Sequence, residues 1–432
     1  MSRTMEQTDN GSLREEEQPE QDKKQKSRRP PNTAFRQQRL KAWQPILTPK
    51  TVLPLFFAVG IIFAPIGGLL LWASSQVQEI SIDYSACESA PLCQDGTTRP
   101  PNTDNAIIPS SKVTTYFKNT TTDAQRPTWC YTKTDTADTF GGQRELPNTT
   151  YCHVQFYIPD KLTSPVLMYY QLTNFYQNHR RYVKSFDQDQ LSGTARSAKD
   201  INGSDCSPLQ GEVAPDGNWK PYYPCGLIAN SRFNDTISSP ILLGTDNGAE
   251  NSTYAMMTND TAWSSDAALY KPTKYNYGDV LPPPNWRQVY PEYNDTADFG
   301  FPSLHTDDGF QTWMRTAGLP TFSKLVRRND NDAMAAGRYQ VDIYDFFPVT
   351  LYSGTKSILI STRTVMGGRN PFLGIAYIVV GGLCMLLGGL FTAAQLIRPR
   401  KLGDHSYLSW NTEQPASTAT ATGRAPRTNE AA

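Results

Sequence analysis

TVLPLFFAVGIIFAPIGGLLLWASSQVQ, residues 51–78, and NPFLGIAYIVVGGLCMLLGGLFTAAQLI, residues 370–397, are two runs without a charged side chain in a protein of 432 residues. Each has 28 residues, and an α-helix needs only about 20 to cross a hydrocarbon core about 30 Å thick, so both predict tilted transmembrane helices. Two spans leave both termini on one side. Positive residues resist translocation, and Lys23–Lys50 holds nine Lys or Arg and no acid, whereas the chain past the first span meets Glu79, Asp83 and Glu88 before any Arg. Arg363 and Arg369 stand on the expected lumenal flank of the second span but are outnumbered by Arg398, Arg400 and Lys401 on its far side. The termini are therefore predicted to be cytoplasmic and residues 79–369 lumenal or extracellular. The polar stretch ahead of residue 51 and the length of the run predict a retained signal anchor rather than a cleaved signal peptide.

The 291 residues between the runs carry seven N-x-[ST] sequons, at Asn119, Asn148, Asn202, Asn234, Asn251, Asn259 and Asn294, the clustering expected of a domain that meets the glycosylation machinery. Six of the seven cysteines lie there too: Cys87, Cys93, Cys130, Cys152, Cys206 and Cys225. No C-x₂-C spacing occurs and His153, His179, His305 and His405 are scattered, so disulfides in an oxidising compartment are expected instead of zinc. Six cysteines permit 15 pairings.

Residues 1–29 are Glu, Gln, Lys and Arg with little to bury, which predicts a disordered cytoplasmic tail, and residues 398–432 read the same way. Between them, 30–50 form a juxtamembrane segment. Asn32 or Thr33 is a candidate N-cap, and Phe35, Trp43, Ile46 and Leu47 share a helical side with Arg36 and Arg39, which predicts an interfacial helix. The net charge of zero hides this basic collar, suited to anionic lipid headgroups or an acidic partner. Nucleic-acid binding does not fit the topology.

Period-two alternation at Cys152, Val154, Phe156, Ile158, at Val166, Met168, Tyr170, Leu172, and at Tyr339, Val341, Ile343 predicts strands, with another at Ser357–Thr364. The fold class is thus two transmembrane helices flanking a large, mainly β, antiparallel, sandwich-like, glycosylated and disulfide-bonded domain. Clusters such as Leu281-Pro282-Pro283-Pro284-Asn285 predict long surface excursions.

Catalytic signatures are missing: Gly354-Thr355-Lys356-Ser357 matches only the end of a phosphate-binding loop, and neither H-E-x-x-H nor G-x-S-x-G occurs. No cofactor or metal is expected. Neither span holds an ionisable residue, so transport by this chain alone is not expected. In the second span Cys384 with Gly388 and Gly389 with Ala393 place small residues four apart, which predicts close helix packing there. Pro54 and Pro65 are expected to kink the first span or mark its start. The cationic His179-Arg180-Arg181 reads as a salt-bridged surface before it reads as a docking contact. Trp313, Met314 and Phe322 read as core before interface.

NFYQNHRRYVKSFDQDQLSG (174–193), PCGLIANSRFNDT (224–236), WMRTAGLPTFSKL (313–325), FPVTLYSGTKSILISTRT (347–364) and MGGRNPFLGIAYIVVGG (366–382) stand in this order. These blocks resemble the cell division control protein 50 family, also called the ligand-effect modulator family, and the long insertions and tails resemble its fungal members. The resemblance implies a non-catalytic β subunit and chaperone of a type IV P-type ATPase, a lipid flippase moving aminophospholipids to the cytoplasmic leaflet. It implies assembly with the ATPase in the endoplasmic reticulum and a working site in Golgi, endosomal or plasma membranes. It also implies Cys206 paired with Cys225 and a nested Cys87–Cys152 and Cys93–Cys130, with neighbour pairing of Cys87 and Cys93 as the alternative. Phe35, Trp43, Cys384, Gly388, Gly389 and Ala393 are the candidate partner contacts. A stand-alone lumenal ligand-binding receptor, or a lumenal hydrolase or transferase with a triad assembled in space, is the alternative function.

Overall fold

The computed structural model describes residues 32–41, 47–94, 97–119, 121–134, 139–140, 143–144, 149–244, 250–296, 299–364 and 367–399. They fall into two compact units, residues 58–386 and residues 1–57 with 387–432. In chain order the elements used below are α1 (Pro49–Ser75), β1 (Glu79–Asp83), β2 (Val113–Tyr116), β3 (Thr128–Thr134), β4 (Thr149–Ile158), β5 (Val166–Leu172), α2 (Arg180–Lys184), α3 (Asp308–Met314), β6 (Phe322–Asn329), β7 (Gly337–Asp345), β8 (Lys356–Thr362) and α4 (Phe372–Ile397).

Helices α1 and α4 are long and apolar enough to cross a membrane, and the chain is a membrane protein. Pro49 takes the first helical position, where its missing N–H costs nothing. The assigned helix then continues through Pro54 and Pro65, so it is Pro49 that marks the start. The apolar run extends to Gln78 but α1 stops at Ser75. Gln78 is already drawn into a sheet, its N–H donating to Thr362 Oγ1 and its carbonyl accepting from Thr362 N, both at 3.0 Å.

Two antiparallel sheets make the β domain. One has the order β6-β5-β8-β1-β2; the other runs from the short strands Ser252–Thr253 and Ile241–Leu242 through β7 and β4 to β3. Ile80, Ile82, Met168, Tyr170, Ile358 and Ile360 from the first meet Val154, Phe156, Tyr339, Val341 and Ile343 from the second in one buried core. Burial of each such side chain stabilises by roughly 1.5–3 kcal/mol. The alternation predicted for residues 152–158 is less clean than expected, because His153 and Gln155 on the other face are buried as well. A polar network accounts for them: His153 Nδ1 lies 2.7 Å from Asp342 Oδ1, and the Gln155 amide donates to Gln340 Oε1 at 3.0 Å.

Cys87 is bonded to Cys152 and Cys93 to Cys130, so the segment before β2 is pinned to the adjacent strands β4 and β3; Cys206 is bonded to Cys225. The excursion around Leu281–Asn285 is not the open loop its prolines suggest. Pro282 and Pro283 are buried, and Trp286, Tyr270, Tyr223, Tyr293 and Phe310 form a second core. Proline brings no N–H that would need a partner, so it can be buried cheaply beside large aromatic rings.

One buried ion cluster joins the two sheets. Lys356, at the start of β8, places Nζ 2.7 Å from Asp235 Oδ2, in contact with Asp345 at the end of β7 and 2.8 Å from the Phe347 carbonyl. Asp235 also accepts from Tyr84 Oη (2.8 Å), Phe346 N (2.7 Å) and Phe347 N (2.6 Å). Burial works against the Lys356 ammonium, but the two carboxylates outweigh it and raise its pKa. Two carboxylates sharing one cation cannot both stay ionised easily. Burial and then Asp235 push Asp345 up to about 6, against the pull of Lys356.

In the unit of residues 58–386 the helices approach through glycine. A Cβ on Gly67 would lie 2.8 Å from the Gly374 carbonyl, and one on Gly60 would lie 3.0 Å from that of Gly381. In the other unit a Cβ on Gly388 would lie 3.3 Å from Phe57. That unit also contains the juxtamembrane segment, where the described residues of the expected helix form a single turn, Ala34–Gln38, and Trp43 and Ile46 lie outside them. Thr33 Oγ1 accepts from Arg36 N at 3.3 Å as a cap would, but Gln38 turns left-handed (φ 54°) and ends the coil.

Removing Lys356 alone would strand two buried carboxylates. K356M should lower unfolding free energy by about 3–5 kcal/mol, with much of the loss recovered when D235N and D345N are added, as read by denaturant melts of the detergent-extracted chain. Asp345, with its folded pKa raised from 3.8 to about 6, favours folding below pH 4 and loses that contribution as pH rises through 6. The stability of the native chain relative to D345N should therefore fall between pH 4 and pH 7.

Candidate partner-docking surface

Strand β1 leaves α1 at Glu79 and ends at Asp83, paired with Ser361 and Ser357 of β8 respectively. The far end of this sheet, away from the long helices, is therefore where β5 ends at Leu172 and where its partners β6 and β8 begin, at Phe322 and Lys356. Three loops meet there, residues 173–184, 315–321 and 346–355, and they belong to three of the sequence blocks singled out above.

Phe175 is their common anchor. Its ring lies 5.3 Å from Tyr352, 5.5 Å from Trp313, 6.0 Å from Tyr182, 6.1 Å from Phe347 and 6.2 Å from Phe322, mostly edge to face. Trp313 is fully buried and donates from Nε1 to the Ile228 carbonyl at 2.8 Å, the core role expected of it. Polar bonds tie the loops to one another: Asn174 Nδ2 to the Tyr352 carbonyl (2.5 Å), Asn178 Nδ2 to the Gly318 carbonyl (2.9 Å), and Ala317 N to Gln177 Oε1 (2.9 Å). A Cβ on Gly354 would sit 2.5 Å from the Thr173 carbonyl, so no larger residue lets these loops approach. Lys324 Nζ closes the base, donating to the carbonyls of Thr312 (2.7 Å), Trp313 (3.0 Å) and Arg315 (2.5 Å) at the end of α3. Burial, with Arg315 nearby, pulls its pKa down to about 7.

This rigid framework presents apolar side chains to solvent. Leu351 is 83% exposed and Leu319 70%, with Tyr176 and Val183 also open. His179, Arg180 and Arg181 are exposed on and before α2, and among the described residues none of them has an ion pair. The salt-bridged reading of that cluster is therefore replaced by a free cationic one. Exposed leucines suit the core of an interface, and the solvated cations beside them suit its rim. Sequence reasoning passed over Leu319 and Leu351; the adjoining Gly318 and Ser353-Gly354 were the turn signals that could have marked them as loop residues.

The other candidate contacts lie elsewhere. Phe35 is exposed in its turn, and Trp43 lies outside the described residues. Cys384 is half-buried and free. Gly388 faces Phe57 of its own chain, whereas a Cβ on Gly389 would meet no described residue within 4 Å and Ala393 is exposed. The spacing of four thus mixes two faces, because inward glycines recur every seven residues, at Gly374, Gly381 and Gly388. Lys356, the apparent remnant of a phosphate loop, is the buried ion-pair residue described above.

The LEM3 (ligand-effect modulator 3) family / CDC50 family signature matches residues 70–401, through both the β domain and α4. The chain belongs to this family. It is 42% identical over 387 residues to the phospholipid-transporting ATPase accessory subunit CDC50 of Chaetomium thermophilum, covering 89% of this chain and 91% of that one. It is 40% identical to the accessory subunit CRF1 of Saccharomyces cerevisiae (90% and 91% covered) and 36% identical to cell cycle control protein 50A of Bos taurus (84% and 88%). The matched residues include all three of these loops.

The sequons differ in accessibility. Asn202 and Asn259 are exposed, Asn119 and Asn251 are exposed with their amides engaged by Asp160 and Gly244 N, and Asn294 is half-buried. Asn234 lies between buried Phe233 and Asp235 with its Oδ1 sealed from solvent, and Asn148 has no described side chain. Glycopeptide mapping of the protein from a eukaryotic host should find higher occupancy at the exposed Asn202 and Asn259 than at the half-buried Asn234 and Asn294.

Proposed function

We propose that this chain is the non-catalytic accessory subunit of a phospholipid-transporting P-type ATPase, needed for the assembly and export of that enzyme. The observation that carries the reading is the 42% identity, over nine-tenths of both chains, to a protein named as such a subunit. The helices would sit in the membrane with both termini in the cytoplasm and the β domain in the lumen or outside the cell, as the basic collar favours. Assembly would begin in the endoplasmic reticulum, and the complex would work in Golgi, endosomal or plasma membranes, delivering aminophospholipid to the cytoplasmic leaflet.

The physical contribution of the subunit is a rigid template. An ion cluster, a shared aromatic anchor and hydrogen bonds between the loops hold Leu319, Leu351 and α2 in place before any partner arrives, so little ordering entropy is lost on docking. The open face of α4 at Gly382, Gly389 and Ala393 lets a partner helix approach closely in lipid, while Gly374, Gly381 and Gly388 are already used within the chain.

Mass spectrometry of what co-purifies with the tagged, detergent-extracted chain tests this. A roughly equimolar large P-type ATPase is expected, and recovery of the chain alone and intact would overturn the reading. L319D with L351D should reduce ATPase recovery by about tenfold without moving the melting temperature of the chain. G389L should reduce recovery too, whereas G388L should also disturb the chain's own helix packing.

A further inference from the structure

The unit formed by residues 1–57 and 387–432 contains a cleft of about 620 Å³ between the start of α1 and the end of α4. Leu47, Leu53, Phe391 and Ile397 line it, and Thr48 and Arg398 stand at its polar end. Leu47 and Ile397 are each 77% exposed, apolar surface that a hydrocarbon chain would cover. The ring pair Phe56–Phe391, with centroids 5.8 Å apart, packs the two helices together next to the cleft.

Charge decides what enters. The described residues of this unit include Arg36, Arg39, Lys41, Lys50 and Arg398 and no Asp or Glu, so none of these cations has a carboxylate partner within it among those residues. The described residues of the unit supply no countercharge of their own. An acidic protein segment would satisfy the cations but leave the apolar cleft beneath them unfilled. A molecule with an anionic head and a hydrocarbon tail satisfies both.

We propose that this cleft is a binding site for an anionic phospholipid of the leaflet facing the chain termini, with one acyl chain between α1 and α4 and the headgroup phosphate against Arg398, supported by Lys50. Basic pockets between transmembrane helices on the cytoplasmic side bind anionic headgroups by this combination of charge and apolar contact. The inference rests on the orientation proposed above but not on the ATPase.

Native mass spectrometry of the full chain, freed of any ATPase and titrated in detergent with phosphatidylserine or phosphatidylcholine, tests it. Phosphatidylserine adducts should exceed phosphatidylcholine adducts, fall about fivefold in R398A and further in K50A/R398A, and be lost in A394W, which fills the cleft. Soluble glycerophosphoserine should not compete. Equal adducts for the two lipids, insensitivity to A394W, or full competition by the soluble headgroup would overturn the site. So would loss of ATPase recovery in K50A/R398A with phosphatidylserine adducts unchanged, which would assign the cations to a protein. Adducts from a chain that never recovers an ATPase would sustain this site while the subunit reading fails.

Discussion

The rest of the β domain depends on a lysine ammonium held between two carboxylates where water does not reach. Lys356 begins β8 in one sheet, Asp345 ends β7 in the other, and Asp235 reaches both while accepting from the backbone after β7 and from Tyr84. Hydrophobic contact between two sheets tolerates sliding, because it has no direction; a buried ion pair does not, because each charge separated from its partner faces a desolvation penalty of several kcal/mol. The cluster therefore sets the register of the sandwich. It also sets the position of the loop that runs from Phe346 to Thr355, and so of Leu351 at its tip.

What could be read from the chain divides along the range of the interactions involved. The strands at residues 152–158, 166–172 and 339–343 were legible because alternation is a local pattern, and the spans because length and apolarity are. The family followed from long ordered blocks, and with it the kind of protein. The ion cluster was not legible: Asp235, Asp345 and Lys356 are separated by up to 121 residues, as 356 − 235, and nothing local distinguishes them from surface charges. The second core behind Pro282 and Pro283 was hidden for a related reason, since proline marks a break in regular structure but is silent about burial. The juxtamembrane stripe is a different case, since Trp43 and Ile46 lie outside the described residues. Its apolar spacing suited a helix, but a left-handed Gln38 interrupts the backbone where the pattern gives no warning.

The glycines of α4 show how one helix can serve two neighbours. Residues seven apart return to nearly the same face, and Gly374, Gly381 and Gly388 form such a row, meeting α1 at Leu71, Ala64 and Phe57 in turn. Gly382 and Gly389 are each one position further on, and a Cβ on either would meet no described residue within 4 Å. Small residues in lipid are informative only when their face is known. Counting glycines could suggest a second neighbour but could not say which of them wait for it.

The manner in which the β domain is joined to its helices has a mechanical consequence. The chain enters the first sheet on β1 and leaves it on β8, and these two strands are neighbours paired over five residues, with Gln78 and Thr362 extending the ladder toward the helices and Asn370 N donating to Ser74 Oγ at 3.1 Å. The domain is thus suspended from interior strands, with β6 and β2 at its edges carrying no load. The two helix ends cannot part without unzipping that ladder, so any tilt imposed on them turns the sheet as a body. Leu351, one strand length away at its opposite end, is then carried as the tip of a lever whose fulcrum lies where the helices join the sheet.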